Sequence, residues 1–158
     1  GLADTTDEGE DDITEALSSG RAAELFGEMV AALGGPADFV ERYPDRLPAA
    51  RVMAEVLADR DGFVTAIDGE ALGHAVVHLG GGRLKGGDKV NPSVGLSDMM
   101  ALGEDVSKGE ALARVHAATR EDAERAAAVV KAAFAIGPQE PEEQPLIHER
   151  SRGWRGPS

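Results

Sequence analysis

Ala111-Leu112-Ala113-Arg114-Val115-His116-Ala117, with Thr119 to Gly137 behind it, holds the clearest change of period in the chain. The first seven residues predict a strand. From Thr119 the apolar positions Ala123, Ala126, Ala127, Val130, Ala133 and Phe134 recur at three- and four-residue steps up to Gly137-Pro138. That spacing predicts a helix. Thr119 is a good N-cap, and Asp122 three residues on is an acidic relative of the capping-box partner whose charge suits a helix N-terminus.

Working back from this strand–helix pair, Ser107-Lys108-Gly109 and Leu102-Gly103-Glu104-Asp105 are turn chemistry, with Val106 between them. Val94-Gly95-Leu96 and Asp98-Met99-Met100 are expected to be extended. Arg83 to Pro92 is a polar loop. Glu70 to Leu79 predicts a helix with Ala71, Leu72, Ala75, Val76 and Leu79 on one face, ended by Gly80-Gly81-Gly82. Phe63-Val64-Thr65-Ala66-Ile67, bounded by Gly62 and Asp68-Gly69, predicts a strand. Arg51 to Ala58 fits a strand or a short helix equally well. Pro44 and Pro48 mark loop boundaries after a short helix over Ala37 to Tyr43.

The N-terminal third reads as helix from Thr14. Ala16, Leu17, Ala23, Leu25, Phe26, Met29, Val30 and Leu33 keep helical steps, broken at Ser19-Gly20 and stopped by Gly34-Gly35-Pro36. Ahead of it, Gly1 to Glu15 carries seven acidic residues and no basic one, and is expected to be a solvated, frayed end. At the other end the tail from Gln139 is rich in Pro, Glu and Arg. Pro145-Leu146-Ile147-His148-Glu149 is expected to form one edge strand, with disorder beyond it.

The chain of 158 residues allows one domain, or one and a small appendage. Its hydrophobic share is 42% but its aromatic share only 4%, so the core must come mainly from Ala, Val and Leu. The net charge of −13 repels phosphate backbones, which argues against nucleic acid as a partner. Without Cys there is no disulfide, thiolate zinc site or Cys nucleophile. No apolar run reaches the roughly 18 residues of a membrane span, and no signal peptide opens the sequence. The expected setting is therefore the cytoplasm. Because Gly1 rather than Met stands first, the chain is expected to be a piece of something longer.

Several residues invite a chemical role. His74 and His78, spaced i, i+4, would share one side of the helix, but the zinc-protease glutamate is missing between them and no third ligand is evident. Gly80-Gly81-Gly82-Arg83-Leu84-Lys85-Gly86-Gly87 resembles a phosphate loop in composition only. Its glycines follow a helix, so the negative end faces them, and the Walker order is absent. Ser93, Ser97 and Ser107 lack a nucleophile-elbow setting, and no His–acid partner is assignable to them. Composition and spacing give a soluble α+β protein with no visible active site and no cofactor.

The run Gly20-Arg21-Ala22-Ala23-Glu24-Leu25-Phe26-Gly27-Glu28-Met29-Val30-Ala31-Ala32-Leu33-Gly34-Gly35-Pro36, followed by Asp38-Phe39-Val40-Glu41, resembles the thymidine and pyrimidine nucleoside phosphorylases. The likeness continues through Gly62-Phe63-Val64, Ala71-Leu72-Gly73, Leu79-Gly80-Gly81-Gly82-Arg83, Ser93-Val94-Gly95-Leu96 and Ala111 to Ala117, and spans roughly residues 13 to 150. It implies that residues 1–12 are a flexible acidic end, 13–60 a helical and connecting part of a larger α/β domain, 61–137 an α/β-hammerhead (barrel-sandwich-like) C-terminal domain, and 138–158 a tail. The family reaction is phosphorolysis of thymidine to thymine and 2-deoxy-D-ribose 1-phosphate, performed by a homodimer.

The family's phosphate- and pyrimidine-binding groups lie upstream of the matched region, in parts whose remainder includes an N-terminal helical domain. The resemblance therefore gives no catalytic or substrate-binding residue here, and no metal. It implies instead a cleft-closure loop at Gly80, Gly81, Gly82, Arg83, Lys85, Gly86, Gly87 and Asp88. It also implies that Leu25, Phe26, Met29 and Val30 are left exposed. Two other expectations are a subunit that complements a separate N-terminal polypeptide, and a non-enzymatic carrier or interaction module. The second rests on Val106-Ser107-Lys108-Gly109-Glu110-Ala111-Leu112, whose turn resembles biotinyl and lipoyl hammerheads.

Overall fold

The structure is a computed structural model and describes residues 3–142. It divides into two compact units, Gly1–Pro48 and Ala49–Ser158. The mixture of helix and strand is α+β, as expected.

The first unit holds three helices. Helix α1, Thr6–Ser18, begins eight residues earlier than the apolar spacing predicts. The acidic end is solvated but helical. Thr5 Oγ1 accepts from the Glu8 N–H at 3.2 Å, and Glu8 Oε2 accepts from the Thr5 N–H at 3.2 Å. This reciprocal capping box, with Asp7 and Glu8 in the first turn, offsets the cost of nucleating an acidic helix. Gly20, at φ 81°, breaks the chain before α2, Arg21–Ala32. That helix closes in a Schellman motif: the Gly34 N–H bonds to the Ala31 carbonyl at 3.0 Å and the Gly35 N–H to the Val30 carbonyl at 2.9 Å.

Helix α3, Phe39–Arg46, runs through Pro44 instead of stopping there. The helix tolerates the proline at a kink, with Arg42 at φ −128°. Phe26 and Phe39 meet with ring centroids 6.0 Å apart. No residue of these helices is buried. Leu25, Phe26 and Met29 are exposed, as expected, whereas Val30 is half-buried.

The second unit carries the core. Strand β1, Val52–Leu57, resolves the ambiguous segment as extended chain. It pairs antiparallel with a later strand, β5, Ala111–Ala117, from Val52↔Ala117 to Leu57↔Ala111. Residues 52–57, expected on the connecting side of a boundary near 60, thus lie with the second unit. Strand β2 is Gly62–Ile67, and α4 is Gly69–Val76, extended by a π turn over Val77–Gly81. After the polar loop come β3, Gly95–Ser97, and β4, Asp105–Val106. Asp98 to Met100 is not a strand, since Asp98 turns the chain at φ 50°.

Helix α5, Arg120–Ala133, starts at the Thr119 N-cap, whose hydroxyl oxygen accepts from the Asp122 N–H at 3.1 Å. It ends one residue before Phe134, which opens strand β6, Phe134–Gly137. Phe134 keeps helical spacing yet leaves the helix, because in extended chain it pairs with Ile67 and is still buried. The residues expected to form an edge strand at 145–149 lie outside the described part.

The strands form two antiparallel three-stranded sheets, ordered β1-β5-β3 and β4-β2-β6. Neither sheet closes into a barrel among the described residues. Helices α4 and α5 pack on each other, and α5 covers β1 and β5. Between them lie Val56, Val64, Leu72, Val106, Leu112, Val115, Val130 and Phe134, all less than a tenth exposed. The core is built from aliphatic residues and alanine, as the composition requires, with no buried polar or charged residue among those described.

Candidate functional site

The loop between α4 and β3 departs through three glycines that the geometry demands. Gly80 sits at φ 93°. A Cβ at Gly81 would stand 2.8 Å from Val76 Cγ1, and one at Gly82 would stand 2.7 Å from Val77 Cγ2. Only glycine lets the chain turn back so closely over the end of α4. The Asn91 N–H then bonds to the Gly80 carbonyl at 2.8 Å and closes the base of the loop. Beyond that base, Asn91 Oδ1 accepts from the Ser93 N–H at 3.1 Å and the Ser93 hydroxyl at 2.7 Å.

The loop's own acid folds inward. Asp88 Oδ2 accepts from the backbone N–H groups of Leu84, at 3.2 Å, and Lys85, at 3.0 Å. Arg83 Nε donates to the Asp88 carbonyl at 3.2 Å. Gly86 and Gly87 at the tip have open space around them, with Gly87 at φ 90°. The structure thus brings Arg83, Lys85 and Asp88 together in one compact turn. Arg83, Lys85 and Lys89 are exposed, and among the described residues none of the three forms a salt bridge. On a chain of net charge −13 this turn is a local positive feature.

His74 and His78 lie on one side of α4 and its π turn, ring centroids 6.4 Å apart. His78 Nδ1 faces the His74 carbonyl at 2.7 Å, so it is the donor. Both line a groove of about 430 Å³ between α4 and α5 whose floor is Ala71, Ala75, Leu79, Ala126 and Val129. Among the described residues, no group of three or more His, Cys, Asp and Glu side chains is arranged to hold a metal ion. A smaller groove of about 280 Å³ beside Asp59, Arg60 and Lys131 has no histidine or hydroxyl.

The serines are dispersed. Ser107 starts the turn before β5, its N–H donating to Glu110 Oε2 at 2.8 Å. Lys108, on that turn, is exposed and donates its backbone N–H to Asp61 Oδ1 at 2.7 Å. Ser97 does have a histidine partner, contrary to expectation. Its Oγ lies 2.8 Å from His116 Nε2 and 3.1 Å from Asp98 Oδ2. Asp98 in turn pairs with Arg114 at 2.7 Å. The carboxylate meets the hydroxyl and not the imidazole, so this is not the relay of a serine hydrolase. Alternation along 111–117 puts Arg114 and His116 on the same sheet face, but the β3–β5 register that brings Ser97 to them has no local sequence signal.

Among the described residues the shifted titrations fall on two surface ion pairs, Asp38–Arg46 and Asp59–Arg60, the second at the edge of the smaller groove. The Arg46 guanidinium hydrogen-bonded to Asp38 holds that carboxyl below its ordinary range, and Arg60 does the same to Asp59. Neither arrangement resembles a tuned acid or base. Among the described residues, no helix is long and apolar enough to cross a membrane.

Residues 63–137 match the family model of the pyrimidine nucleoside phosphorylase C-terminal domain. The match opens inside β2, takes in α4, the glycine-rich loop, β3 to β5 and α5, and closes at the end of β6.

Proposed function

Starting from a pyrimidine nucleoside phosphorylase C-terminal domain over residues 63–137, we propose that the chain is the C-terminal part of a thymidine phosphorylase, with 61–137 as its α/β-hammerhead domain. The whole enzyme would displace thymine from thymidine with inorganic phosphate, giving 2-deoxy-D-ribose 1-phosphate. That reaction needs cations and amides around phosphate, and donors for the charge that develops on the leaving pyrimidine.

On this reading those groups belong to the remainder of the phosphorylase: the N-terminal helical domain and the phosphate-binding part of the large domain. The helical domain also carries the homodimer contact. This chain alone turns over no nucleoside and takes no cofactor. Neither nucleic acid nor membrane is a partner, and the setting is the cytoplasm.

The contribution left to this chain is cleft closure. A loop that lies down over bound substrate excludes water and holds the closed form. The observation that carries this role is the turn inside the matched region, at residues 80–88. The Asp88 carboxylate is consumed by the backbone N–H groups of Leu84 and Lys85, while the side chains of Arg83 and Lys85 stand free of acidic partners among the described residues.

The test is complementation. The 158-residue chain is assayed for thymine release from thymidine and phosphate, alone and mixed with a polypeptide supplying the helical and phosphate-binding parts. Release only from the mixture is expected. Thymine production by the chain alone would overturn the proposal, and so would a mixture that stays inert although the two polypeptides associate.

A further inference from the structure

The glycine-rich loop returns to the fold at β3, an edge strand of three residues. So short a strand makes few ladder bonds, so its side chains matter. Across the sheet, Gly95 pairs with His116, while Ser97 and Glu55 both pair with Arg114 from opposite sides. Gly95 has no side chain opposite His116. The imidazole therefore has room to cross β3 and reach Ser97, its diagonal neighbour.

The hydroxyl of Ser97 has one proton and two polar neighbours, His116 Nε2 at 2.8 Å and Asp98 Oδ2 at 3.1 Å. A carboxylate only accepts, so the Ser97 proton goes to Asp98, and His116 Nε2–H then donates to Ser97. Arg114 completes the chain, with Nη1 at 2.7 Å from Asp98 and Nη2 at 3.5 Å from Glu55. The result is one polar line across three strands: His116 to Ser97 to Asp98, then Arg114 to Glu55. It also holds Asp98 in the left-handed region at φ 50°, which a non-glycine residue rarely occupies unaided.

We infer that Ser97 and His116 are positioning residues for the glycine-rich loop. They fix the strand to which the loop returns, so that rearrangement is confined to residues 82–92 and does not spread into the sheet. The inference rests on reading residues 80–88 as a closing loop, and names its anchor.

Amide hydrogen exchange on the 158-residue chain tests it, together with ¹⁵N spectra of the His116 ring. Ser97→Ala should raise exchange over residues 91–100 by roughly 3- to 10-fold, the loss of about one hydrogen bond, and leave Val52–Leu57 on the far side of β5 unchanged. Ser97→Thr keeps the hydroxyl and should restore protection. In the unsubstituted chain His116 Nε2 should carry the proton. Exchange within twofold of the original in Ser97→Ala, an equal rise at β1 and β3, or a proton found on Nδ1 instead would each overturn the inference. No phosphorolysis is measured, so these outcomes leave the phosphorylase reading standing, and an inert complementation mixture leaves the anchor standing.

Discussion

Asp68 ties the start of α4 to the end of α5, because its backbone N–H donates to the Ala133 carbonyl at 2.8 Å. Its side chain works at the same time as the α4 N-cap, with Oδ1 accepting from the Ala71 N–H at 2.9 Å. The backbone bond survives substitution and the cap does not. Asp68→Ala should therefore lower stability by about 1 kcal/mol, the usual worth of an N-cap, and Asp68→Asn should recover most of it. Urea unfolding followed by circular dichroism measures both.

Two glycines separate backbone necessity from loop freedom. A Cβ at Gly62 would lie 2.4 Å from the Gly137 carbonyl oxygen, across the β2–β6 ladder, at a residue whose φ is 150°. Backbone cannot yield as a flexible side chain does. Gly62→Ala should cost about 3 kcal/mol or more, at the upper end of overpacking, and loosen β6 first. Gly86, with nothing within 4 Å of a new Cβ, should accept alanine within about 0.5 kcal/mol. Thermal melts of the two variants decide it.

The second unit was the more legible part of the sequence, for a physical reason. Strands β2 and β5 and helices α4 and α5 bury a face, and burial imposes the period that makes an element readable. Helix α1 buries nothing, so no apolar period announces its start. Its only signal was Thr5-Thr6-Asp7-Glu8, a capping box hidden among acids. Phe134 misled because it is buried at a helically spaced position, and its strand partner Ile67, far back in the sequence, is what makes it extended. The loop at Gly80–Asp88 was legible from its glycines. The Ser97–His116 contact was not, because it depends on the β3–β5 register, which no local pattern states.

Because the buried core lies wholly after residue 48, truncation should be costly there and mild before it. Leu112 is 1% exposed and Leu33 is 81% exposed. Leu112→Ala should destabilise by about 2–5 kcal/mol, the range for a buried leucine, whereas Leu33→Ala should change stability by no more than about 0.5 kcal/mol. Native-state hydrogen exchange should accordingly be slowest in β5 and α5. Slowest exchange in residues 20–35 would contradict this.

In the first unit, acid should act through Asp38. Arg46 Nη2 sits 2.8 Å from Oδ1 and 2.6 Å from Oδ2 of that residue, bridging the start and end of α3. Hydrogen bonding to Arg46 lowers the Asp38 pKa from its ordinary 3.8. A carboxyl held low in the folded state adds stability that is fully present above pH 3.8 and is lost as pH falls through the lowered value. The Asp38 carboxyl and Arg46 guanidinium signals should therefore hold steady down to about pH 4 and move below it. In Asp38→Asn this acid-induced change of the Arg46 guanidinium should disappear.

The proposed closing role makes its own demand on Arg83 and Lys85. Both are exposed and neither supports the core, so replacing the pair with alanine should leave the melting temperature of this chain unchanged within about 1 °C, an effect of no more than about 0.5 kcal/mol. In the complemented enzyme the same change should slow phosphorolysis, because the cations would then be missing from the closed form alone. A loss confined to closure lowers kcat, or kcat/KM, without a matching loss of protein. Salt offers an independent check. Contacts made by exposed cations weaken as the Debye length shrinks from about 10 Å at 0.1 M to about 3 Å at 1 M, so the unsubstituted enzyme should lose rate with added salt more steeply than the double variant. Identical kinetics and identical salt dependence in the two would remove Arg83 and Lys85 from the closing mechanism.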